Sequence, residues 1–96
     1  MSIKKVVESE GKVVYYLDGK IHNDLGPAVI SPNGDKEWWF NGKRHRKDGP
    51  AVIEDGTKEW WINGELHRKD GPSIEYANGY RDWYINGTFI KTTFEV

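Results

Sequence analysis

An all-β fold, a single elongated antiparallel meander of repeated hairpins with about nine strands, follows from three observations on this 96-residue chain. The first is a repeat. Gly11, Gly34, Gly56 and Gly79 stand 23, 22 and 23 residues apart. The pairs Asp18-Gly19, Asn41-Gly42, Asn63-Gly64 and Asn86-Gly87 keep that step, as do the doublets Tyr15-Tyr16, Trp38-Trp39, Trp60-Trp61 and Trp83-Tyr84. Gly26-Pro27, Gly49-Pro50 and Gly71-Pro72 are in phase with them, and so are His22, His45 and His67. Features locked to one period mark a repeat sequence. The second observation is turn chemistry: Asn-Gly or Asp-Gly between apolar runs signals a two-residue hairpin, because both central residues need φ > 0. The third is that no stretch combines helical periodicity with proper caps.

The elements follow in order. Residues 1–10 are an N-terminal capping strand, with Ile3–Val7 and Lys12–Leu17 forming an opening hairpin around Glu8-Ser9-Glu10-Gly11. Residues 11–33, 34–55 and 56–78 are repeats, and 79–96 are a partial repeat with a C-terminal cap, all within one domain spanning 1–96. In each unit the strand before the turn, such as Lys58–Ile62, is aromatic and β-branched, as strands prefer. The strand after it, such as Glu65–Arg68, runs into Gly-Pro. Proline cannot donate to a ladder, so Gly49-Pro50 marks a bulge or kink, after which Ala51-Val52-Ile53 continues to a second turn. Phe89–Val96 is a closing strand without the His and Gly-Pro signatures, as terminal repeats of arrays are commonly atypical.

Composition sets the energetic terms. A chain this short buries roughly 60–65% of its unfolded surface, so the core is thin. Apolar residues make up 36% and aromatics 14%, so large rings, each removing roughly 150–250 Å² from water, are expected to do most of the burying. Fourteen basic against 15 acidic residues argue against a wholly basic nucleic-acid clamp or an acidic DNA mimic. The absence of cysteine excludes disulfide scaffolds, thiolate zinc sites and Cys nucleophiles. The first residues hold no apolar run long enough for a signal peptide or membrane span, so a soluble cytoplasmic chain is expected.

Counting outward from Asn63-Gly64 pairs Ile62 with Glu65, Trp61 with Leu66, Trp60 with His67 and Glu59 with Arg68. The same count gives Trp38 with His45, Glu37 with Arg46, Tyr15 with His22, Trp83 with Ile90 and Asp82 with Lys91. Cross-strand neighbours share a face. One face therefore holds Tyr15, Trp38, Trp60 and Trp83 with the histidines. The other holds Tyr16, Trp39, Trp61 and Tyr84 with three opposite-charge pairs. Such pairs contribute at most about 1 kcal/mol in water, so the charged face is the expected solvent face and the first ring of each doublet is the expected core.

The phrase Asn41-Gly42-Lys43-Arg44-His45 and its echoes, with an aromatic doublet before and Gly-Pro after, resembles the MORN repeat over roughly residues 11–90. In that family the next glycine usually follows the His directly, whereas here Arg46-Lys47-Asp48 intervenes before Gly49. The resemblance is to a divergent form of phages, giant viruses and bacteria. It implies an elongated sheet of hairpins and a scaffold or binding role, without itself naming a site.

No catalytic residues, cofactor or metal are expected. Two-strand spacing puts the histidines about 10 Å apart, too far to share a zinc, and Ile90 replaces the last one. Asp48 and Asp70 recur with the repeat, where a turn wants them, and Asn86-Gly87-Thr88 reads as a turn rather than a glycosylated sequon. The feature least explained by stability is the aromatic column Tyr16, Trp39, Trp61 and Tyr84, flanked by Arg44, Arg46 and Arg68. Contiguous apolar patches mark interaction sites, and Trp, Tyr and Arg are hot-spot residues. The expected function is non-catalytic protein binding to a host or virus protein, with a phage-encoded inhibitor of host defence, including an anti-CRISPR-type antagonist, as an instance. A nucleic-acid or nucleotide binder using the basic segment Lys43–Lys47 with the column is the alternative. A homodimer or larger homo-oligomer packed sheet to sheet is the third reading.

Overall fold

Both residues of each two-residue turn are left-handed, as the sequence requires: Asp18 and Gly19 at φ 51° and 77°, Asn41 and Gly42 at 49° and 80°, Asn63 and Gly64 at 50° and 82°, Asn86 and Gly87 at 48° and 80°. The computed structural model describes residues 2–95. Its strands, in chain order, are β1 (Lys4–Val7), β2 (Val13–Leu17), β3 (Lys20–Ile21), β4 (Val29–Ile30), β5 (Lys36–Glu37), β6 (Trp39–Phe40) and β7 (Lys43–Arg44). They continue as β8 (Val52–Glu54), β9 (Thr57–Glu59), β10 (Trp61–Ile62), β11 (Glu65–Leu66), β12 (Ile74–Glu75), β13 (Tyr80–Ile85) and β14 (Thr88–Phe94). Nine of them form an antiparallel meander in the order β1-β2-β4-β5-β8-β9-β12-β13-β14. The all-β meander expected from the sequence is the fold observed.

The hairpin tips leave this sheet. β6 pairs only with β7 and β10 only with β11, while β3 adds to β2. The corner is the first aromatic of the doublet in the first three units. Trp60 N–H donates to the Ser73 carbonyl in the main sheet at 2.7 Å, while its own carbonyl accepts from His67 N–H in the tip at 3.1 Å. Trp38 does the same between Ala51 and His45, and Tyr15 between Ala28 and His22. Successive tips are then tied together: Gly42, Gly64 and Gly87 N–H each donate at 2.9 Å to the carbonyls of Ile21, Arg44 and Leu66.

The core is not made of the large rings. The buried apolar residues are Val14, Ala28, Val29, Ala51, Val52 and Ile74, and both members of every doublet are only half-buried. Lateral pairing links Val14, Val29, Glu37, Val52, Glu59, Ile74 and Asp82 into one row across the sheet, hence onto one face. Trp39 and Trp61, two residues beyond Glu37 and Glu59, turn to that side. The expectation that Trp38, Trp60 and Trp83 form the core is therefore corrected: apart from Val14 in β2, the buried apolar residues lie after Gly-Pro. The molecule measures 17 Å along its shortest principal axis, too thin to enclose an indole, and Trp is seldom fully buried even in larger domains.

The opposite-charge pairs are also corrected. Register counted from a turn holds only while the two strands stay partnered, and the main-sheet strand changes partner at the corner. Glu37 lies nearest Arg44 at 3.6 Å, not Arg46. Arg46 pairs with Asp48 at 3.3 Å, and Arg68 with Asp70 at 3.4 Å and Glu75 at 3.1 Å. A bulge between Trp83 and Tyr84 sets Trp83 opposite Lys91 rather than Ile90, and Asp82 opposite Thr92. The Gly-Pro glycine has a steric role: a Cβ on Gly49 or Gly71 would meet the guanidinium of Arg46 or Arg68 at 2.9 or 2.8 Å.

Gly79→Ala is expected to be costlier than Gly64→Ala. Both carry a left-handed φ, worth about 1–2 kcal/mol against an L side chain. At Gly79 a Cβ would also lie 2.6 Å from the Glu95 carbonyl oxygen, whereas at Gly64 it meets only the Lys43 side chain at 3.6 Å. Urea midpoints compare the two; equal losses would show that Glu95 does not sit against this turn.

Candidate functional site

The strip is built by the tips. Tyr16, Trp39, Trp61 and Tyr84 each stand directly across a strand pair from the second residue after the turn, namely Ile21, Arg44, Leu66 and Phe89. The two central rings are held in place. Trp39 Nε1–H donates to Glu37 Oε1 at 2.8 Å, and Trp61 Nε1–H donates to Glu59 Oε1 at 2.7 Å. These charge-assisted bonds restrict the indoles without covering them. Tyr84 packs edge-on against Phe89 with centroids 5.5 Å apart.

Arg44 fills the space between the central rings. Its guanidinium carbon lies 5.4 Å from the Trp39 ring centroid and 5.3 Å from that of Trp61. Lys43, the two indoles and the Gly42 and Asn63-Gly64 turns line a shallow cleft beside it. Arg46 and Arg68 are not part of this strip. They stack on Trp38 and Trp60 at 3.8 and 3.9 Å, and each donates to a proline carbonyl, Pro50 or Pro72, at 3.0 or 3.1 Å. The structure thus brings together Trp39, Arg44 and Trp61 and sends the other two arginines to the neighbouring ring of each doublet.

The histidines hold the tips in register. Nδ1 of His22, His45 and His67 accepts from the backbone N–H of the next turn's Asn41, Asn63 and Asn86 at 2.9, 3.0 and 2.9 Å. Such a nitrogen must be unprotonated, which places the ring hydrogen on Nε2; in His22 that atom bonds Asp24. Burial, with Lys47 beside it, pushes His45 below its ordinary value of 6.5. A histidine whose folded-state value is lowered stabilises the fold fully above about 6.5 and loses that contribution as pH falls. The melting temperature should therefore drop from pH 7.5 towards pH 5.5, and the drop should be shallower in His45→Asn, whose amide oxygen accepts without titrating. Parallel pH profiles for the two proteins would refute this role.

Tyr76 is a structural donor. Burial, then its 2.8 Å hydrogen bond to Asp82, pushes its phenol up to about 12. Among the described residues no group of three or more His, Asp or Glu side chains is arranged to hold a metal ion. No helix there is long and apolar enough to cross a membrane.

Two positions break the repeat: Arg44, already among the arginines expected beside the column, and Leu25, which the sequence reading passes over. Arg44 occupies a place that is apolar in the other tips, and Leu25, 94% exposed, stands where the next two units carry Asp48 and Asp70. Column-by-column comparison of the units shows both, because an exception to a repeat is visible only against its equivalents. Comparison of the chain with family models, with curated proteins and with solved structures gave no match to any of them.

Proposed function

We propose that this chain is a non-catalytic protein-binding module whose contact surface is the tip strip centred on Trp39, Arg44 and Trp61. The observation that carries this reading is the Trp39–Arg44–Trp61 cluster, half-exposed and braced by Glu37 and Glu59. Rings held in place give contact area at little further entropic cost, which is what interface hot spots require. Tyr16 and Tyr84 extend the strip on either side. A phage-encoded antagonist that occupies a host defence protein is one form such a module takes.

Nucleic acid is the weaker occupant because the basic segment does not act together. Lys43 and Arg44 adjoin the strip, while Arg46 turns to Trp38 and Asp48.

The test is capture from a host lysate on immobilised protein, compared between wild type and the Trp39→Ala/Trp61→Ala double variant. Retained binding should fall by about 2 kcal/mol or more, roughly 30-fold, in calorimetry with the captured protein. Trp39→Phe/Trp61→Phe, which keeps an aromatic ring at both places, serves as the folded control, with melting followed in parallel. Capture that survives in the folded double variant moves the site elsewhere. Binding that collapses steeply with salt points instead to nucleic acid, and a mass doubling with loss of heteromeric capture points to self-association.

A further inference from the structure

Resting on the binding reading above, we infer that Arg44 is a receptor for a carboxylate side chain of the protein partner. The equivalent positions in the other tips are Ile21, Leu66 and Phe89, so the hairpin itself asks for an apolar residue here. An arginine is poorly served in that place. Among the described residues its Nε is the one buried side-chain nitrogen or oxygen without a hydrogen-bond partner. Its one ion-pair partner among the described residues, Glu37 Oε1, lies 3.6 Å from a terminal nitrogen, beyond hydrogen-bond reach. Arg46 and Arg68, by contrast, each bond a proline carbonyl and pair with acidic side chains. A buried unsatisfied donor weakens a fold.

The same arrangement suits recognition. The two indoles flank the guanidinium, its carbon 5.4 and 5.3 Å from their centroids, and limit its movement, while the side chain remains 34% exposed. With Nε the only buried, unpartnered atom, that exposure leaves the terminal nitrogens open at the cleft. A planar fork of N–H groups held in advance matches the two oxygens of a carboxylate, and little rotamer freedom remains to be lost on binding.

The surrounding charge favours a single carboxylate over a polyanion. Glu37 and Glu59 brace the flanking rings, and Glu65 lies along the next turn, against Gly87. A phosphate chain would meet these carboxylates on either side of Arg44, with only Lys43 added in its favour. One aspartate or glutamate from an opposing surface meets the fork alone.

The experiment uses the full chain, isotope-labelled, and reads the Arg44 Nε–Hε signal with the Trp39 and Trp61 indole signals by NMR. The probe is an acetylated, amidated tetrapeptide with a single glutamate among glycines; inorganic phosphate and a short oligothymidylate are run beside it. The peptide should shift all three signals saturably. Arg44→Leu, an apolar choice that neighbouring tips already carry, should fold and bind the peptide at least ~10-fold more weakly. Arg44→Lys, which keeps the charge without the fork, should also lose most of the response and covers the case in which the leucine variant does not fold. No shift with the peptide, or an equal peptide response in the indole signals of the variants, overturns the inference. A stronger response to phosphate or oligothymidylate than to the peptide overturns the choice of carboxylate. Lysate capture that depends on Trp39 and Trp61 while the peptide is inert removes this inference and leaves the binding reading in place.

Discussion

Val52→Asp is expected to cost roughly 4 kcal/mol or more at neutral pH, the range reached when an unpaired charge is buried. Val52 is 1% exposed and lies in the lateral row between Glu37 and Glu59. A carboxylate there would be desolvated and placed beside two others, and both effects raise its folded-state pKa. A group raised in the folded state is least harmful below its unfolded value and most harmful above it. The variant should therefore lose ground against Val52→Asn as pH rises from 4 to 7, opposite in sense to the histidine effect. Urea denaturation of both variants across that range checks it. A cost below about 1 kcal/mol, typical of an exposed site, would mean that the valine row is not the core.

His22→Ala should cost roughly 3 kcal/mol, combining a cavity with an abandoned backbone donor. The ring is 2% exposed, its Nδ1 accepts from Asn41 N–H at 2.9 Å, and it packs on Phe40 with centroids 4.5 Å apart. His67 offers an internal comparison. It accepts from Asn86 N–H at the same distance but is only half-buried, so His67→Ala should cost about half as much. His22→Asn should recover the hydrogen bond without the packing. Equal losses for His22→Ala and His67→Ala in guanidinium denaturation would assign the whole effect to the hydrogen bond.

The turns were legible because Asn-Gly admits two left-handed residues in succession, and the tip register followed: Trp61 opposite Leu66, Ile62 opposite Glu65. The meander was legible because one hairpin per period leaves no crossover to choose. The histidines were assigned to structure rather than to a metal, but their specific work, accepting the N–H of the next turn's asparagine, is a contact between residues 18 or 19 apart that spacing within one unit does not reveal.

Ring size does not rank burial in this fold. In a thin sheet the side chains most completely enclosed are the short ones held close to the backbone, such as Ala51 and Val52, while an indole reaches past the layer that could cover it. The outward count of pairs failed at Trp38 and Trp60, where the N–H belongs to one ladder and the carbonyl to another. Beyond that residue the strand's partner comes from the next stretch of chain, so Arg46 and Arg68 find proline carbonyls and new acids instead of Glu37 and Glu59. Local chemistry, the φ demanded by a turn and the period of a repeat, lies in the sequence and determined the strands, their order and their hairpins. Which side of the sheet is buried, which acid each arginine meets, and that Arg44 stands between two tryptophans depend on where separate units come to rest against each other, and only the tertiary structure decided them.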